Sequence, residues 1–425
     1  MSTRARWAGV VSLLVIVLIS YVDRVNVSVL ITDKAFTDHF GITGDPTAQG
    51  ALSTVFLIGY GIAAFVLTPF YETSLGVRRG LVVSVALWSL MTLLSPYALG
   101  ALTLTALRAL LGAAEGPLFS LKTMYVREHF APHEAGRPNA VSSMGVSLGT
   151  AAGLPLITYL VYRFDWHTSF LALAALNAVI GLPLILLFVR GRGVRAAAER
   201  PGFGATLKGA LRMPRLAPIL VVEIATLAYL WGSSAWLPSY LLRERHFSIG
   251  AMGFVSALPF LMSLVSGFLG GLLLDRLPRR LLALPFVVGS AGTAVCVLLV
   301  AGAESDGLAA TGLILAGGFW GLQGPAIPTL VQHCAPAHFV GSAYGVVNGV
   351  GNLVSAFMPT LMGVAIAASG GHGFGAGFSL LAGAQALTLV CGVWLLVRPV
   401  APAPAAPSVE WTTPARGSVG GSPRP

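Results

Sequence analysis

The chain is 425 residues long, 55% hydrophobic and 10% charged, with a formal net charge of +10. Soluble globular proteins carry roughly 25% charged residues, so this composition excludes an ordinary water-facing surface. The basic surplus does not point to nucleic acid either, because it sits in short loops between apolar blocks and forms no aromatic-interleaved patch.

Apolar blocks of about 20 residues, each able to cross the ~30 Å of a bilayer's hydrocarbon, recur along the sequence. They predict an all-α membrane protein with twelve transmembrane helices. The first span lies near residues 7–30 and follows Arg4 and Arg6. No small-residue cleavage site follows it, and the run exceeds signal length, so it reads as an uncleaved span. It closes on "ISYVDRVNVSVL". Asp23 falls about 24 Å along this helix, past the midplane, where an ionisable side chain costs ~2.5–3.5 kcal/mol on insertion scales. Charges persist at such depths when they face a water-filled cavity or a partner. The second span, near 49–71, carries Tyr60, and the third lies near 80–97.

The fourth span, near 99–125, contains "ALRALLGAAEGPLFSLKTMYV", with Arg108, Glu115 and Lys122 seven residues apart. Seven residues are two helical turns with a drift of only ~20°, so all three share a face, and Glu115 leans toward Arg108. Gly112 and Gly116 allow a neighbouring helix to come close. Lys122, near the inner end, is read as snorkelling to the interface. The fifth span, near 139–163, has a stripe of Gly145, Gly149 and Gly153 followed by Pro155, which suits close packing against the neighbouring half. The sixth lies near 166–189.

A polar stretch, "RGRGVRAAAERPGFGATLKGALRMPR", then divides the chain. Six more spans follow near 218–242, 251–274, 281–302, 309–332, 340–366 and 375–398. Glu223, near the inner end of the seventh, reads as interfacial. The expected organisation is an N-terminal six-helix half (1–189), a cytoplasmic linker (190–217), a C-terminal six-helix half (218–398) and a disordered cytoplasmic tail (399–425) rich in Pro, Gly and Ser. Lys and Arg asymmetry sets the orientation. With the N-terminus inside, Arg78, Arg79, Arg127, Arg137, the linker, Arg276, Arg279 and Arg280 all fall on the inner side. The outer side holds mainly Asp33, Asp38, Asp45, Glu304 and Asp306, with Lys34, Arg163, Arg243 and Arg245 as exceptions. Cys296, Cys334 and Cys391 have no disulfide or metal spacing. His129 and His133 lie in an inner loop without further ligands, and no nucleophile–base pair or phosphate loop appears. Neither an enzyme nor a metal site is expected.

An internal repeat joins the halves. "PFYETSLGVRR" follows the second span and "GGLLLDRLPRR" the eighth. Two six-helix halves with this loop resemble the major facilitator superfamily, whose pattern is roughly G-x-x-x-D-R-x-x-R-R. The second copy matches through Gly271, Asp275, Arg276, Arg279 and Arg280; in the first, Thr73 stands where the aspartate belongs, with Glu72 one place early. The resemblance implies a conformational switch at Asp275, Arg276, Arg279 and Arg280, with latching from the N-terminal copy altered.

"YVDRVN" in the first span, R-x6-E and "GPLFS" in the fourth, "PHEAGRPNAV", "SAWLPSYL" and "GSAYGVVNGVGNLVSAFMP" together resemble the superfamily's anion:cation symporter branch of organic-acid and sugar-acid permeases. That resemblance implies proton-coupling roles for Asp23 and Glu115. It also implies that Arg24 and Arg108 attend a substrate carboxylate and that Tyr60 and Asn348 line the site. Trp320 and Gln323, with Tyr229, Trp231, Trp236 and Asn352, give the C-terminal half a polar and aromatic face for an amphiphilic anion. Two positions depart from sugar-acid members: "SSMGVSLG" lacks their fifth-span glutamine, and Pro328 replaces a tryptophan. These lean toward a less hydroxylated acid, aromatic or short and aliphatic. The function expected is proton-coupled import of a small organic anion by alternating access, with sodium as the other candidate coupling ion. The alternative is a proton-driven exporter, to which the glycine stripe of the fifth span would suit. No cofactor and no nucleic-acid partner are expected, and the protein is expected to be a monomer in the bacterial inner membrane with both termini cytoplasmic.

Overall fold

The computed structural model describes residues 2–71, 75–130, 136–191, 211–274, 276–334, 340–370 and 373–398. Most of the linker (192–210), the tail (399–425), Glu72, Thr73 and Asp275 lie outside the described residues, and so do the expectations placed on them. Among the described residues every regular element is helical. Large apolar side chains such as Leu99, Leu102, Val179 and Phe268 are strongly exposed, as expected where lipid is the solvent.

Among the described residues ten helices are long and apolar enough to cross a membrane. The two expected spans absent from that set are the fourth and the tenth, each broken in two. The fourth runs Ala101–Glu115 and Leu118–His129, and the tenth runs Asp306–Gly321 and Ala326–Cys334. Both breaks hold a Gly-Pro pair, Gly116–Pro117 and Gly324–Pro325. Proline removes one backbone donor and its ring clashes with the preceding turn, so the chain restarts a helix immediately after it. Counting these two gives the twelve crossings, with the same helix broken in each half. The eleventh span restarts at Met358 after Ser355. The sixth contains a π-turn at Asn177–Gly181.

Within the N-terminal half the second and fourth spans nearly touch. A Cβ on Gly112 would lie 2.0 Å from the Phe56 carbonyl oxygen. The fifth-span stripe packs differently from the sequence expectation. A Cβ on Gly149 would lie 2.3 Å from the Leu18 carbonyl oxygen, and Gly145 and Gly153 also face the first span. The stripe therefore seats the first helix of its own half, not the neighbouring half.

The near face is the side where the first helix (Thr3–Leu30) begins; the far face is the opposite one. The halves meet toward the far face. Gly50 of the second span abuts the Pro359 carbonyl of the eleventh, and Gly253 of the eighth abuts Thr158 of the fifth. Thr360 donates to Thr54 at 2.8 Å, and Arg243 donates to the Ile31 carbonyl and, at 3.3 Å, to Gln49. Deeper in, Tyr21 of the first span stacks on Trp231 of the seventh, ring centroids 6.2 Å apart.

Candidate functional site

The first helix turns Asp23 and Arg24 in different directions, since successive residues are about 100° apart. Arg24 faces the fourth span. Its Nε donates to Glu115 Oε2 at 2.9 Å, and Ser20 Oγ, one turn earlier, donates to the same oxygen at 2.7 Å. Both charged side chains are buried. Aromatic rings surround the guanidinium, with Tyr21 at 4.4 Å, Tyr60 at 4.5 Å, Phe56 at 5.5 Å and Trp231 at 5.7 Å from Cζ to ring centroid. The aromatic faces stabilise the cation and exclude water.

Arg108 does not pair with Glu115, as the seven-residue spacing suggested. At about 10 Å along one helix the two stay apart, and the first span brings Arg24 closer. Arg108 instead lies 4.7 Å over the Phe56 ring. Its Nε and Nη1, Arg24 Nη2 and Glu115 Oε1 are buried without a hydrogen-bond partner. Unmet donors of that strength are costly, and an anion would satisfy them. A small cavity lies between the halves here, lined by Arg24, Ser28, Ser53, Phe56, Arg108 and Trp231 among others.

Asp23 sits behind this cavity. Its Oδ2 accepts from Thr92 Oγ1 at 2.9 Å and from Asn177 Nδ2 at 3.0 Å, between the third and sixth spans. Asn177 opens the π-turn, a distortion that recurs at functional positions.

In the C-terminal half, Asn348 donates to Glu223 Oε1 at 3.2 Å, Asn352 to Asn348 Oδ1 at 3.3 Å, and Trp231 Nε1 to Asn352 Oδ1 at 3.1 Å. This polar ladder ends on the ring that stacks against Tyr21, and so reaches the Arg24 site. Glu223 is 4% exposed; it is buried against the eleventh span and not interfacial as its position suggested. Trp320 donates to the Thr226 carbonyl at 3.0 Å and approaches Tyr229. Gln323 is wholly buried between the seventh and twelfth spans, donating to Gln385 at 2.9 Å and accepting from Thr226 at 3.3 Å. The structure thus brings Arg24, Arg108, Glu115 and Tyr60 together, reaches Asn348 through the ladder, and leaves Trp320 and Gln323 in the packing of the C-terminal half.

At the near face, Arg276, Arg279 and Arg280 are exposed. Lys122 does not snorkel: it is 4% exposed, and its Nζ donates to Ser143 Oγ at 2.6 Å. His129 stacks on Tyr125. Among the described residues no cluster of His, Cys, Asp and Glu could hold a metal ion. Sequence reasoning missed Ser20 and Phe56. Both had a signal, since each lies four residues before a site residue (Arg24 and Tyr60) and so on the same helix face.

A sequence model of the family described as Major Facilitator Superfamily matches residues 13–359. The hexuronate transporter of Bacillus subtilis (strain 168) is 26% identical, over 92% of this chain and 94% of its own length. The D-galactonate transporter of Escherichia coli O6:H1 is 25% identical over 85% and 89%. A probable galactarate/D-glucarate transporter of Bacillus subtilis (strain 168) is 26% identical over 94% and 93%. Among solved structures, a D-xylose-proton symporter superposes with a TM-score of 0.75 at 15% identity, over 93% of this chain and 97% of that one. A bacterial homolog of the human lysosomal transporter Spinster, inward-facing and unoccupied, gives 0.74 at 15%, over 94% and 96%.

Proposed function

The chain belongs to the Major Facilitator Superfamily, and we propose that within it the protein imports a small organic anion, a carboxylate, together with a proton by alternating access. The observation that carries this reading is the pair of buried guanidiniums with unmet donors, Arg24 and Arg108, beside Glu115 at the meeting of the halves. Three relatives named as sugar-acid transporters support the substrate class. The absent fifth-span glutamine and Pro328 still favour a less hydroxylated acid within it. Lys and Arg asymmetry supports a cytoplasmic near face, and the bacterial transporters this chain resembles support a place in the bacterial inner membrane.

Arginine suits the task because its planar fork matches a carboxylate and stays charged when dehydrated. In the coupling cycle, the arriving carboxylate takes Arg24 Nη2 and the free donors of Arg108. Arg24 then stabilises Glu115 less, so Glu115 accepts a proton; Asp23, held by Thr92 and Asn177, is the second coupling acid. The loaded site carries less uncompensated charge than the half-loaded one, which lets the halves rock about it. Release on the near face returns the Arg24–Glu115 pair. The alternative reading is a proton-driven exporter; the fifth-span stripe packs against the first helix, which does not separate the two directions.

Uptake into proteoliposomes tests this. With an imposed pH gradient, labelled monocarboxylates, aromatic acids and sugar acids are offered in turn. At least one is expected to accumulate and to be lost on adding an uncoupler. Gradient-driven loss of lipophilic cations, without accumulation of any acid, would contradict it.

A further inference from the structure

Glu223 is a buried acid that the cycle above leaves unused. It stands about two turns into the seventh span, Leu216–Ser239, on the near-face side, and is 4% exposed. Among the described residues it forms no ion pair, and its one hydrogen bond comes from the neutral Asn348 amide at 3.2 Å. The other buried acids at membrane depth are better supplied. Glu115 accepts from Arg24 and Ser20, and Asp23 from Thr92 and Asn177. A carboxylate held in a membrane span by one neutral donor is costly, and taking up a proton removes that cost. The eleventh span makes room for the side chain: a Cβ on Gly351 would lie 2.5 Å from Glu223 Cγ.

The hydrogen bonds that lead from the cavity to Glu223 all point one way. The indole N–H of Trp231 can only donate, and it donates to Asn352 Oδ1 at 3.1 Å. That leaves the Asn352 amide to donate to Asn348 Oδ1 at 3.3 Å, and the Asn348 amide to donate to Glu223 Oε1. Trp231 lines the cavity with Arg24 and Arg108 and stacks on Tyr21. Bonds to an ionised acceptor are stronger than bonds to a neutral one, and bonds in a chain reinforce one another. An ionised Glu223 therefore tightens the row and holds the indole, and a protonated one loosens it.

The elements packed on the seventh span bring no other ionisable group into hydrogen-bond contact with Glu223. Tyr344 of the eleventh lies within range of its charge. The inner piece of the tenth carries His333 and Cys334, the twelfth Cys391, and the eighth none. The first span places Tyr21 and Arg24 against Trp231, and Tyr229 of the seventh turns to Trp320.

We propose that Glu223 is a third proton-binding carboxyl of this carrier, set in the C-terminal half, and that the row of Asn348, Asn352 and Trp231 carries its charge state to the cavity. Its use in the cycle rests on the proton-coupled reading above; its protonation does not. An anion arriving at Arg24 and Arg108 makes a second negative charge in the same low-dielectric region costlier. Cargo thus favours a proton on Glu223, and by linkage that proton favours cargo.

One measurement needs no cargo. Tryptophan emission of the purified full-length carrier is followed as the pH is lowered, and the same titration of Trp231→Phe is subtracted to leave the Trp231 part. That part is expected to show a step in the natural protein and to lose it in Glu223→Gln. Asn352→Ala, which cuts the row and leaves the acid, is expected to lose it too and serves if Glu223→Gln fails to fold. No step, or a step that survives either variant, would overturn the proposal while leaving the arginine site standing. The other measurement is proton uptake from weakly buffered solution on binding D-galactonate, benzoate or lactate, offered in turn. Fewer protons per bound anion are expected in Glu223→Gln than in the natural protein, and equal numbers would overturn the place of Glu223 in the cycle. Failure of all three acids to bind would overturn the carboxylate reading and that place with it, and the emission step would still decide whether Glu223 takes a proton.

Discussion

Arg108 holds its guanidinium over Phe56 with two donors unmet, and that arrangement uses the planar fork more than the charge. Lysine offers the charge without the fork. Arg108→Lys is therefore expected to weaken carboxylate binding about tenfold to a hundredfold, the loss of one charged hydrogen bond of roughly 1.5–3 kcal/mol. Titration of the purified variant with a transported acid checks it, and unchanged affinity would show that only net charge matters there. Arg24, Arg108 and Glu115 were legible in the sequence because ionisable groups are rare at membrane depth. Their pairing was not. Spacing along the fourth helix favoured Arg108 as the partner of Glu115, but the partner comes from the first helix, and helix-to-helix registration is not written in the spacing of either. The burial of Lys122 and Glu223 was hidden for the same reason: distance from a helix end says nothing about which face a neighbouring helix covers.

Hydropathy placed all twelve crossings to within a few residues, because the length of an apolar run is set by bilayer thickness. The internal breaks of the fourth and tenth spans were less visible, although a Gly-Pro pair marks each one. In a hydropathy window a broken helix and a continuous one look alike. The glycines themselves were read correctly in kind. Gly112 and Gly116 let the second span approach the fourth, and the fifth-span stripe allows a similar approach, though to the first helix. Gly112→Ala puts a methyl 2.0 Å from the Phe56 carbonyl oxygen, an overlap with backbone that no rotamer relieves. The variant is expected to lose about 1–3 kcal/mol, seen as a lower apparent melting temperature in detergent. A melting temperature equal to that of the natural protein would mean that the second and fourth spans are not tightly docked.

For the whole molecule, the two halves and their pseudo-symmetry follow from the repeated loop and the span count. Which face is closed does not follow, because one sequence would serve both arrangements of the alternating-access cycle proposed above. Here the second and eleventh spans close the far face, with Thr54 and Thr360 hydroxyls 2.8 Å apart. Paired cysteines at these two positions are close enough for disulfide geometry. Thr54→Cys with Thr360→Cys is expected to stop uptake on oxidation and to regain it on reduction. Uptake that continues in fully cross-linked protein would show that this contact does not open during transport. The most direct measurement for the coupled cycle is Glu115→Gln in proteoliposomes, followed by both substrate counterflow and uphill uptake under a pH gradient. The expected result is counterflow retained and concentrative uptake lost, since the carboxylate site remains while the group that takes the proton is gone. Concentrative uptake at the level of the natural protein would contradict the coupling assigned to Glu115.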